Sequence, residues 1–289
     1  MSLATRGTVR PPRLLAFVAL LTFALGARPA LAWDSGVHRM VTRLAVGALP
    51  PGPLQQSFAT HLASLERMSV EPDLLREAGD KNEGRRHYID LEYYGSDPFA
   101  VLNPSESIMV QKFGAARLMK SGTLPWTIEN ESDALAGAWR NGDCRAVLKL
   151  AGYLSHYVAD ASQPLHTTIH YDGYAEDRGM HHRLELTADA YVAELEHEAA
   201  PRVQVENIDG VWTPVIAELR KSSALVPQVI AADRAARSAA SSSPQFERVL
   251  MRDERGWIVS QVADAASLTA SIWQFEWQRA GHPAICQHD

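Results

Sequence analysis

Two pairs of side chains in this 289-residue chain stand at metal-ligand spacing, His156-x3-Asp160 and His181-x3-Glu185. Positions i and i+4 of a helix share a face, so each pair sets an imidazole beside a carboxylate where both can grip one ion. One such pair alone is most often a surface hydrogen bond. Two of them make a pattern, because Ser162-Gln163-Pro164-Leu165-His166 ends the first helix at the proline and returns a further histidine to the same neighbourhood. His182 points elsewhere on its helix. His170, His197, His282 and His288 have no partner at ligand spacing.

Helices must carry these pairs. Apolar residues recur at three and four positions from Val37 through Met40, Val41, Leu44 and Ala45, and again from Val147 through Leu148, Ala151, Leu154 and Val158. Further helices are expected at about 54–67, 104–121, 130–140, 143–161, 181–198, 212–239 and 245–279, divided by Pro, Gly and Asn. Strand-like alternation is nearly absent. Residues 84–104 and 165–180 read as irregular, rich in Tyr, His, Asp and Gly, and they flank the densest histidine positions. Trp273, Phe275 and Trp277 near the end of the last helix are expected to pack in the core. The fold class is therefore all-α, with one multi-helix domain over residues 33–289.

The amino terminus reads as an address. Arg6, Arg10 and Arg13 precede an apolar run from Leu14 to Leu25, followed by Ala30-Leu31-Ala32, a small-x-small cleavage pattern. The run is too short for a membrane span and ends at Gly26 and Pro29. Residues 1–32 are expected to be a cleaved signal peptide, with the mature chain starting at Trp33 and residing in the periplasm or outside the cell. Removing four arginines and no acid from the formal charge of −6 leaves 24 basic against 34 acidic residues, or −10. Such a surface disfavours a nucleic-acid binder held by a basic face. Cys144 and Cys286 can pair in an oxidising compartment, but neither has a neighbour that marks a metal ligand. No stable protein partner and no transmembrane segment in the mature chain are expected.

The run His156-x3-Asp160-x2-Gln163-Pro164-Leu165-His166, followed by His181-x3-Glu185, resembles the zinc signature of the phospholipase C/P1 nuclease superfamily. The resemblance extends to Trp33, since members of that family begin their mature chain with a tryptophan whose amine and carbonyl bind zinc. Trp33-x4-His38 and Asp73-x13-His87 fit the remaining positions. By this resemblance one zinc takes Asp73, His87, His156 and Asp160, a second takes His166, His181 and Glu185, and a third takes Trp33 and His38 with Asp160 as bridge. Five imidazoles and three carboxylates without cysteine independently suit catalytic zinc. Iron or manganese carboxylate bundles use Glu-x-x-His on paired helices, an arrangement this sequence lacks.

The resemblance implies a zinc-dependent phosphodiesterase. It gives Asp73 the further task of orienting or deprotonating water, and it gives Arg76 the task of meeting the phosphate, for which a planar guanidinium fork is suited. The branches of the family are mixed. His87-Tyr88-Ile89-Asp90 is similar to a nuclease motif in which an aromatic stacks on a base and an aspartate bonds its edge, which makes Tyr88 and Asp90 candidate substrate contacts. Glu185 and the short interval from His166 to His181 are closer to phospholipase C, whose choline-binding glutamate has no match here. Single-stranded nucleic acid or nucleotides rank first as substrate, phospholipids second, and a secreted zinc-binding protein without catalysis third.

Overall fold

The computed structural model describes Met1 and residues 35–283. The expected leader apart from Met1, together with Trp33 and Cys286, lies outside the described residues. Among the described residues the chain is helical and contains no strand, as the periodicity requires. Its α-helices are α1 (Ser35–Ala48), α2 (Pro53–Thr60), α3 (Leu62–Met68), α4 (Glu71–Glu77), α5 (Glu106–Phe113), α6 (Ala115–Ser121), α7 (Leu124–Arg140), α8 (Cys144–Ala161), α9 (Met180–Ala190), α10 (Val192–Ala199), α11 (Trp212–Ala239) and α12 (Ser243–Arg279). Short 3-10 turns occupy Gly84–His87, Leu91–Tyr94, Pro98–Ala100, Pro164–Thr167, Ala175–Asp177 and Ala200–Arg202.

The longest sequence-expected helices match closely, while three expected helices divide. The helix expected over 54–67 breaks at His61, and the one expected over 181–198 breaks at Tyr191. The helix expected over 104–121 divides at Gly114, whose φ of 84° is open to glycine at little cost. Helix α4 was not expected at all. It is only seven residues long and is opened by Pro72 in its first turn, too short for periodicity to reveal.

Helix α8 is the central scaffold. Asp143 caps it by accepting from the Ala146 amide at 3.0 Å, and its residues from Ala151 to Ala161 are all buried. Gly152 lets α3 come close, since a Cβ there would collide with Met68 and with the Leu65 carbonyl. Helix α1 packs on α8 through the hydroxyl pair Thr42 and Ser155 at 2.9 Å, one helical turn from His38 and next to His156. Helix α12 lies against α1, α7, α8, α10 and α11. As expected, its Trp273 is fully buried, donating to the Ala151 carbonyl at 3.2 Å and meeting Phe58 edge to face, and Phe275 and Trp277 pack partly buried against the same core. Cys144, at the start of α8, is disulfide-bonded. No helix among the described residues is long and apolar enough to cross a membrane.

Candidate metal centre

Six elements converge to bring together every described residue of the expected ligand set. Helix α1 supplies His38, α4 supplies Asp73, and the turn Gly84–His87 supplies His87 at its last position. Helix α8 supplies His156 and Asp160, the turn Pro164–Thr167 supplies His166, and α9 supplies His181 and Glu185. All eight are buried. Their donor atoms form three groups, each within 4.8 Å: Asp73 with His87 and His156, His38 with His156 and Asp160, and His166 with His181 and Glu185.

Asp160 sits at the junction. Its Oδ2 lies 3.0 Å from His87 Nδ1 and 3.3 Å from His156 Nε2, while its Oδ1 lies 3.7 Å from His38 Nε2 and 3.5 Å from His166 Nδ1. A carboxylate with each oxygen facing different imidazoles is suited to bridge two ions. The rings of His38 and His156 stack at 3.9 Å between centroids. In the remaining group, His181 Nε2 is 2.6 Å from Glu185 Oε1 and 3.1 Å from His166 Nε2.

Burying so many ionisable groups costs several kcal/mol for each charge left uncompensated. Within the protein the compensation is incomplete. Both nitrogens of His38, Asp160 Oδ1 and Glu185 Oε2 are buried without a hydrogen-bond partner among the described residues. Such atoms turned towards one another satisfy their lone pairs when divalent cations lie between them, so the donor set fits zinc. The electrostatics agree. Burial holds the His181 imidazole down at about 4, with Arg76 adding to the effect, which leaves it a neutral nitrogen donor at physiological pH. Burial pushes Asp73 up and also raises Glu185, to about 7. At His87 burial works against charge, but Asp160 and Glu83 outweigh it and raise the imidazole to about 9. Burial likewise opposes the charge on Asp160, yet the surrounding histidines hold it well below the usual carboxylate range.

Outer contacts fix the ligand rings. His156 Nδ1 meets the Ser69 carbonyl at 2.8 Å and His166 Nδ1 meets the His87 carbonyl at 2.6 Å. The Ile89 amide returns the favour by donating to the His166 carbonyl at 2.8 Å, so the two ligand-bearing turns hold each other. Gln163 donates to Glu185 at 3.0 Å. Glu83 lies 3.4 Å from His87 Nε2 and accepts from the Tyr157 hydroxyl. Helix α9 is anchored from outside: Arg183, between its two ligands, donates twice to the buried Asp233 of α11 at 2.8 and 2.7 Å, and Asp172 accepts from the His181 amide at 3.3 Å. Glu83, Asp172 and Asp233 had not been singled out from the sequence. Glu83-x3-His87 repeats the spacing of the two ligand pairs and could have been noticed, whereas the Arg183–Asp233 contact spans 50 residues and leaves no local trace.

A cleft of about 640 Å³ opens over the cluster. Arg76, Lys81 and Arg85 line it together with His87, His166 and His181, and Arg76 reaches within 3.0 Å of Asp73 Oδ1. Tyr88 and Asp90 line it as well, joined by Tyr171. Gly122, at φ 82°, allows the backbone of Tyr88 to pass so close that any Cβ would strike its carbonyl. Burial together with Glu92 raises Asp90 to about 7.

Three comparisons bear on this arrangement. The chain resembles the solved alpha toxin of Clostridium absonum with a TM-score of 0.51 at 14% identity, over 84% of this chain and 64% of that one. It resembles the alpha-toxin of Clostridium perfringens avian strain SWCP with the same score and identity, over 86% of this chain and 65% of that one. These likenesses concern the fold, and the chain spans slightly under two thirds of the toxins' length. A 75-residue stretch, 26% of the chain, is 35% identical to 10% of a probable serine protease of Bradyrhizobium tropiciagri. The family model for zinc dependent phospholipase C matches residues 37–221, well over half of the chain and the whole interval from His38 to Glu185. The family is zinc-dependent, and the three donor groups supply places for three ions. The chain belongs to the zinc dependent phospholipase C family.

Proposed function

We propose that this chain is a secreted zinc-dependent phospholipase C that cuts the phosphodiester between the glycerol and the head group of a phospholipid. The observation that carries the reading is the family match over residues 37–221, an interval that contains all eight described ligands of a buried cluster with an open cleft above it. The sequence alone ranked a nuclease first. The family match favours the phospholipase instead, in keeping with Glu185 and the short interval from His166 to His181.

Zinc held by the three donor groups would lower the pKa of water and offset charge on the phosphoryl oxygens. The chain's own residues do the rest. Arg76 presents a guanidinium to the cleft, with Lys81 and Arg85 beside it, and together they draw in and orient the phosphate of a substrate. Asp73 pairs with Arg76 at 3.0 Å and is raised by burial, which suits it to accept a proton from the attacking water. Tyr88 and Asp90 line the same cleft and contact the head group. By the resemblance carried by Trp33-x4-His38, a Trp33 amine freed by cleavage after Ala32 would complete the third site, and the same cleavage would accompany export to the periplasm or medium.

The test is an assay of purified, zinc-loaded protein on phosphatidylcholine and on single-stranded DNA. Release of diacylglycerol and phosphocholine is the expected result. Nucleotide release without lipid cleavage would overturn the reading.

A further inference from the structure

A second cavity of about 690 Å³ lies behind one wall of the metal cleft. The wall consists of residues 88–92 and 165–170, held together by the 2.8 Å bond from the Ile89 amide to the His166 carbonyl. The residues of these two segments divide between the two spaces. Tyr88, Asp90 and His166 line the metal cleft, whereas Leu91 and Thr167 line the second cavity. Thr168 lines both, so the two spaces are neighbours across this residue.

The second cavity has two apolar sides, with Ser96, Thr167, Thr168, His170 and Ser223 as the polar part of its lining. Leu91, Pro98 and Phe99 form one side, and Val226, Pro227 and Ile230 of α11 form the other. Its charged neighbours are turned to protein partners. Glu92 accepts from the Thr168 hydroxyl and from the Ile169 amide, Asp97 accepts from the Ala100 amide at 3.3 Å, and the Arg220 guanidinium covers the Phe99 ring at 4.3 Å. Its volume falls within the range of about 300–1,000 Å³ that ligand pockets occupy. The loop at the junction carries Ile169, Tyr171 and Tyr174, each between 42% and 53% exposed, which extends an apolar lip from one space to the other. Exposed apolar groups gathered at the mouth of a cavity mark a binding surface.

We propose that this cavity takes an acyl chain of the phospholipid whose phosphate lies in the metal cleft, the chain crossing the edge at Thr168. The proposal rests on the phospholipase reading and adds a chain-length specificity to it. A cavity that shares Thr168 with the phosphate site, with Tyr171 on the cleft and Tyr174 on the cavity, fits a ligand that is charged at one end and apolar beyond it. A nucleotide offers no such tail.

The experiment compares the zinc-loaded protein with its Val226→Trp and Ser223→Trp variants, both of which fill the cavity from α11. The substrates are p-nitrophenylphosphorylcholine, which has no acyl chain, and dibutyroyl and diheptanoyl phosphatidylcholine below their micelle concentrations. For the parent protein, kcat/KM should rise at least about tenfold from the shorter to the longer lipid, as burial of added methylenes requires. Either variant should lose most of that rise through KM and keep its rate on the chain-free ester, which also shows that it has folded. An unchanged chain-length preference in a variant that retains the ester activity overturns the cavity proposal alone. If the parent cleaves neither lipid, the phospholipase reading itself fails.

Discussion

Glu83 and His87 stand one helical turn apart with Glu83 Oε1 3.4 Å from His87 Nε2, on the opposite ring nitrogen from the one that faces Asp160. His87 is thereby held between two carboxylates. A carboxylate behind a ligand imidazole fixes its tautomer and raises its basicity. Glu83 is itself held by the Tyr157 hydroxyl and by Arg86 at 3.2 Å. Burial opposes its charge, but the hydrogen bonds from His87 and Tyr157 prevail and lower it to about 2. Replacing Glu83 by Gln is expected to weaken zinc binding about 10–100-fold, measured by competition with a chelator, with helicity preserved. Unaltered affinity would remove Glu83 from this role.

The pH dependence of metal uptake follows from the same cluster. At about pH 6 both His87, raised to about 9, and Glu185, raised to about 7, hold protons that incoming zinc must displace, while at about pH 8 Glu185 has largely lost its own. Affinity should therefore rise with pH across this interval, and more protons should be released per chain at its acidic end. Calorimetry of zinc binding in buffers of different ionisation enthalpy reads that count directly. A proton release that does not change with pH would contradict the assignment.

Asp233 offers a test away from the ligands. It is buried, accepts two bonds from Arg183, and takes a third from Arg237 Nε at 2.8 Å. Arg183 is part-exposed and keeps its bonds to the Asp177 and Arg178 carbonyls, so loss of the charge-assisted bonds to Asp233 costs about 1.5–3 kcal/mol. Asp233→Ala should lower stability by that order and loosen α9, so that the zinc held by His166, His181 and Glu185 exchanges before the others. Chelator kinetics resolved by ion would show this, and simultaneous loss of all three ions at the parent rate would contradict it.

Much of the site was legible because its signals are local. His156 with Asp160 and His181 with Glu185 announce themselves by spacing, and Pro164 explains why His166 returns to them. Helices α8, α11 and α12 follow from long apolar periodicity. Helix α4 escaped because seven residues give periodicity nothing to repeat, although Asp73 and Arg76 on it were found through resemblance. The breaks at His61 and Tyr191 fall where the sequence has neither proline nor glycine to announce them. Asp233 and the second cavity escaped for a different reason. They arise where α11 meets segments far away in sequence, and no single stretch of chain encodes that meeting.

The shared carboxylate of Asp160 is the centre of the account, and metal content is its most direct measure. Protein beginning at Trp33 should hold three zinc ions per chain, by the three donor groups and the bridging position of Asp160. The Asp160→Asn variant, with its fold intact by circular dichroism, should keep only the ion at His166, His181 and Glu185. Three ions retained by that variant, or fewer than three in the parent protein after loading, would contradict the trinuclear centre.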